Sequence, residues 1–76
     1  MHRSVPGMAR ASAPYELLER TIRRYARSQL GNDLSKLTLI DARIIQAILA
    51  QAGYFEPIHK IRAVARCQMR RSKHTE

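Results

Sequence analysis

Between Ile58 and His74 the chain carries Lys60, Arg62, Arg66, Arg70, Arg71 and Lys73, and no Asp or Glu. On a helix, Arg62, Arg66 and Arg70 stand four apart and stack along one side, where like charges repel and weaken an isolated helix. Their chemistry is recognition: a guanidinium group presents a planar fork of donors that fits phosphate and carboxylate. Arg70, Arg71 and Lys73 fall near the helix end, where a cation complements the dipole by about 0.3–1 kcal/mol. Arg62 and Arg66 lie further in, and no acid within the stretch answers them. Glu56 precedes the helix and is placed to reach only Lys60.

A second cationic set comprises Arg20, Arg23, Arg24 and Arg27. Here Glu16 and Glu19 precede Arg20 and Arg23 by four residues, the favourable order for surface pairs of about 0.3–0.5 kcal/mol each. The spacing predicts a solvated, half-neutralised surface. Arg24 and Arg27 remain as secondary contact candidates.

The whole chain repeats the imbalance. Its 76 residues hold 14 Lys plus Arg against 6 Asp plus Glu, a formal net charge of +8. Most of these cations are Arg. Such an excess attracts polyanions: nucleic acid, an acidic membrane surface or an acidic protein face. The length suits one small domain, whose limited core favours tight packing or self-association. The single Cys67 excludes an internal disulfide and fits a reducing compartment. No run approaches the roughly 18 apolar residues of a membrane span, and no signal-peptide core follows Met1. A cytoplasmic protein is expected.

Catalysis is not expected. His59 and Cys67 are eight residues apart and about 80° around a helix, so they form no nucleophile–base pair. One Cys and scattered His lack zinc-ligand spacing, and there is no glycine-rich phosphate loop. No cofactor is implied.

Three helices must position these groups. Residues 1–12, with Pro6 and Gly7, read as a flexible arm, and Met8 is an alternative start. The first helix is expected to open near Ser12–Pro14, with Ser12 as cap, and to stop at Gly31-Asn32. Tyr15, Leu18, Ile22, Tyr25 and Ala26 form its apolar stripe. Thr38 and Asp41 suit a capping box for a second helix that ends at Gly53. In that helix Ile40, Ile44, Ile45, Ile48, Leu49 and Ala52 leave mainly Arg43, Gln46 and Ala50 for solvent, as in a bundle centre or a dimer interface. Pro57 is expected at the first position of the third helix, with Ile58, Ile61, Val64, Ala65 and Met69 facing inward. The reading is an all-α, three-helix domain over residues 13–72, with a C-terminal tail at 73–76.

The second and third helices, joined through Gly53, resemble a helix-turn-helix arrangement. In that geometry His59, Lys60, Arg62, Ala63 and Arg66 approach a DNA groove, followed by Arg70 and Arg71, while Arg3 and Arg10 of the arm could trail along phosphates. The expectation is a small basic nucleic-acid-binding protein, a homodimer that regulates by occupying duplex DNA, with RNA as another possible target. The rival is a protein-interaction module, an inhibitor or adaptor docking the basic helix on an acidic partner with Leu17 and Leu34 as anchors. Membrane-surface binding is disfavoured, because the basic helix lacks a bulky apolar face.

Overall fold

The computed structural model describes residues 11–74, with side chains as far as Arg71. Within them the chain is all-α: α1 (Tyr15–Gln29), a 3-10 turn (Leu34–Lys36), α2 (Leu39–Gln51) and α3 (Ile58–His74). Arg3, Arg10 and the rest of the arm at residues 1–10 lie outside the described residues, as do 75–76. Ala11 and Ser12, read from sequence as the end of a flexible arm, belong to the folded unit: Ala11 pairs with Tyr54 in an isolated parallel bridge.

Each end of a helix has a local cause. α1 opens on Pro14, whose carbonyl accepts from Leu18 N–H at 3.0 Å. No side chain caps it, so Ser12 does not play the capping role its position suggested. It sits two residues before the position from which a side chain reaches first-turn amides. The chain leaves α1 through two left-handed residues, Gly31 and Asn32, and Asn32 N–H returns to the Ala26 carbonyl at 2.9 Å. Asn is among the few non-glycine residues that take this conformation readily.

The Thr38–Asp41 capping box forms as the sequence implied, with both reciprocal bonds present. Asp41 also accepts a 2.5 Å hydrogen bond from the Tyr25 hydroxyl, tying the start of α2 to α1. α2 closes with Gly53 at φ 95°, and the bonds Gly53 N–H to Ala50 O and Tyr54 N–H to Leu49 O complete a Schellman turn. The Pro57 carbonyl then starts α3 by accepting from Lys60 and Ile61 N–H, which puts Pro57 one step outside the helix instead of at its first position. α3 continues to His74, two residues into the stretch read as a tail.

The core joins Leu18 and Ile22 of α1, Ala42, Ile45 and Leu49 of α2, and Ile61, Val64 and Ala65 of α3. Leu17, Tyr25, Leu34, Leu37, Tyr54 and Ile58 pack partly against it. Two expectations change here. α2 buries only one face and leaves Ile40, Ile44 and Ile48 at 69%, 43% and 45% exposure. Tyr15, expected on the inner stripe, is 49% exposed.

The segment linking α2 to α3 is held by Glu56, which is fully buried. Its Oε2 accepts from Ala13 N–H at 2.7 Å, and Lys60 Nζ lies 3.0 Å from Oε1. Oε1 accepts no aligned hydrogen bond, so the ammonium contact is its compensation. The Glu56 carbonyl accepts from Gln46 Nε2 at 3.0 Å. Gln46, expected to face solvent, is half-buried for this reason. Both segments enter helices through proline, which biases the preceding Ala13 and Glu56 toward extended backbone and lets the two strands of chain lie side by side.

Glu56→Leu strands the buried Ala13 amide and should destabilise the fold by about 1–3 kcal/mol. Urea unfolding checks this, with exposed Lys36→Ala as a control expected within about 0.5 kcal/mol of wild type.

The Tyr25–Asp41 bond gives a pH signature. The Tyr25 hydroxyl, with help from Thr38, holds the Asp41 carboxyl below its ordinary range, while the bond to Asp41 raises the Tyr25 hydroxyl above its own. A lowered Asp contributes stability above its unfolded value of about 3.9 and loses it as pH falls; a raised Tyr contributes below about 10 and loses it as pH rises. Tyr25→Phe should therefore cost about 1 kcal/mol near neutral pH. That difference from wild type should vanish in strong acid and strong base when unfolding is followed across pH.

Candidate functional site

α3 supplies most of the candidate residues because its inner face is fully occupied. Ile61, Val64, Ala65 and Gln68 are buried against the other elements, so the opposite arc is left to water. That arc presents His59, Arg62, Ala63, Arg66, Cys67 and Arg70, all exposed. One-turn spacing places Arg62, Arg66 and Arg70 about 6 Å apart along the axis. None of the three makes an ion pair with a described residue.

The remaining α3 candidates are engaged. Lys60 is held by Glu56, as its position four residues later suggested. Arg71 Nη1 lies 3.0 Å from Glu19 Oε2 of α1. Both cations lie on the edge of the arc that turns back toward the domain, which removes them from the free set.

The Arg71 pair overturns the expected charge pattern of α1. Glu19 is drawn to α3, so the anticipated Glu19–Arg23 pair does not form, and neither does Glu16–Arg20. The physical reason is tertiary: Gln68 Nε2 donates to the Glu19 carbonyl at 3.2 Å and brings the two helices together at this point. Glu19 is partly sheltered there, with 17% side-chain exposure, whereas a pair with Arg23 would lie in open solvent. Arg20, Arg23, Arg24 and Arg27 are all exposed and have no ion-pair partner among the described residues.

The acids are mostly occupied within the fold. Asp33 accepts from Ser35 N–H and Oγ–H, bonds that hold its carboxyl below the usual range. Asp41 is in the capping box, Glu56 under the turn, and Glu19 against Arg71. The outward balance is therefore strongly cationic.

Two shallow grooves border the 3-10 turn, one shared with α1 and α3 and the other with α3 alone. One, of about 340 Å³, is lined by Arg23, Arg27, Asn32, Leu34 and Gln68 among others. The other, of about 190 Å³, is lined by Leu34, Leu37, Arg62, Arg66 and Met69 among others. Leu34 borders both. Arg24 borders a groove of about 540 Å³ between α1 and α2, with Tyr25, Ile44 and Ile48, and also shares a groove along α1 with Glu16, Arg23 and Arg27. Sequence reasoning missed Arg23, because local spacing assigned it to Glu19, and missed Gln68, whose polar side chain gave no sign of burial. Leu17 and Leu34, suggested as anchors for an acidic partner, pack partly into the core.

No protein-family model matches the chain, and no curated protein or solved structure gives a significant match. Among the described residues, no helix is long and apolar enough to cross a membrane.

Proposed function

We propose that this is a small cytoplasmic nucleic-acid-binding protein that occupies duplex DNA through the exposed strip of α3 and acts as a regulator. The observation that carries the reading is the row Arg62, Arg66 and Arg70, exposed and without ion-pair partners among the described residues. A polyanion would replace their mutual repulsion with attraction and release counterions on binding. The order of α2, a tight glycine turn and α3 supports a helix-turn-helix-like use of the strip, in which His59, Arg62, Ala63 and Arg66 face the major groove. Arginine in that position can pair with guanine or hold phosphate.

The protein acts as a homodimer in this reading. Support comes from the exposed Ile40, Ile44 and Ile48, one helical turn apart on α2, of which Ile44 and Ile48 line a groove that contains no α3 residue. Pairing of this stripe with a second copy would remove apolar surface from water and leave α3 free in each subunit.

Arg62→Ala combined with Arg66→Ala should weaken binding to duplex DNA at least about tenfold at low salt, and wild-type affinity should fall steeply as salt rises. Electrophoretic shift or fluorescence anisotropy measures both, and unchanged affinity in the double variant would remove α3 from the mechanism. For the dimer, Ile44→Glu should lower the mass in sedimentation equilibrium from that of two chains to that of one. A wild-type protein already monomeric at high concentration would contradict the pairing.

A further inference from the structure

We infer that the phosphate-binding surface extends from α3 onto α1, with Arg23 and Arg27 joining Arg62 and Arg66 near Leu34 to hold the backbone of a nucleic-acid duplex. The inference rests on the nucleic-acid reading above and deepens it by assigning a second helix to the same interface. Its first support is adjacency. Leu34 borders the groove that contains Arg23 and Arg27 and also the groove that contains Arg62 and Arg66. The two arginine pairs, far apart in sequence, therefore flank one short segment of the surface.

The second support is charge. Glu19, the acid whose spacing would neutralise Arg23, is committed to Arg71. The acid next to Leu34 in the chain, Asp33, is hydrogen-bonded to Ser35 and pairs with neither arginine set. Four guanidinium groups near Leu34 thus have no ion-pair partner among the described residues, and Glu16, which shares the α1 groove with Arg23 and Arg27, pairs with neither. The third support is fixed backbone geometry: the Arg71–Glu19 pair and the Gln68–Glu19 bond cross-link α1 to α3, so the helices that carry the arginine pairs hold their places without a ligand. Binding then orders side chains but does not have to assemble the helices.

The shape selects the ligand class. The grooves are shallow and separate, each with its own arginine pair, so one small anion in either groove would meet only one pair. A duplex backbone is a continuous polyanion and can satisfy both. Arg62 and Arg66 are at the strip that approaches base edges, whereas Arg23 and Arg27 would grip phosphates and add affinity without sequence preference.

The test is the salt dependence of binding to a labelled duplex DNA of roughly 20 base pairs, between about 50 and 200 mM salt. Arg23→Ala with Arg27→Ala should lower the magnitude of the log–log slope by about 1.8, because each lost phosphate contact removes about 0.9. Arg23→Lys with Arg27→Lys should restore the wild-type slope. Arg43→Ala removes a cation of α2 that lines neither groove and should change the slope by less than about 0.5. If the α1 variant instead matches this control while Arg62→Ala with Arg66→Ala loses affinity, the interface is confined to α3 and the two-helix surface is wrong. Failure of wild type to bind the duplex at the lowest salt would overturn this inference together with the nucleic-acid reading.

Discussion

A single buried carboxylate organises this small domain. Glu56 is sealed from solvent at the point where α2 hands the chain to α3, and it binds the Ala13 amide with one oxygen and the Lys60 ammonium with the other. Its own carbonyl takes the Gln46 side chain of α2. One residue thus connects the segment before α1, the second helix and the first turn of the third. A buried charge costs several kcal/mol unless its partners are well placed, so these contacts must form together or not at all. The consequence reaches the surface: with Lys60 turned back to Glu56, the outward strip of α3 begins cleanly at His59 and Arg62.

Much of the fold was legible because its signals are local. The Thr38–Asp41 capping box and the Gly53 turn depend on side chains within a few residues of each other, and both formed as read. The inward set on α3 followed from helical period, since Ile61, Val64 and Ala65 are buried. What sequence spacing could not supply was competition between partners. Glu19 sits correctly for Arg23, yet a tertiary contact with α3 gives it Arg71 in a more sheltered setting. Likewise Gln46 was read as a surface residue and Gln68 was not singled out, and each is committed to a backbone carbonyl on another segment.

The same competition explains how the charge is arranged. The fold places most of its described carboxylates where they cap, cross-link or support the chain, Glu16 being the exception, and it leaves most guanidinium groups to water. Arg62, Arg66 and Arg70 were legible from sequence as an unanswered row, and the structure leaves them so among the described residues. On α1, Arg24 and Arg27 were already read as uncompensated, whereas Arg23 was not, because it becomes unanswered only once α3 has claimed Glu19. The apolar stripe of α2 is a separate feature: Ile44 and Ile48 border a groove shared with α1 that none of the α3 arginines lines.

An amide chemical-shift titration of the isotopically labelled protein with short duplex DNA at low salt addresses the central idea most directly. The largest changes are expected at His59, Arg62, Ala63, Arg66 and Arg70, with a second cluster at Arg23, Arg27 and Leu34, and little change along Ile40, Ile44 and Ile48. Shifts concentrated on the isoleucine face, or none above the noise at saturating DNA, would contradict it.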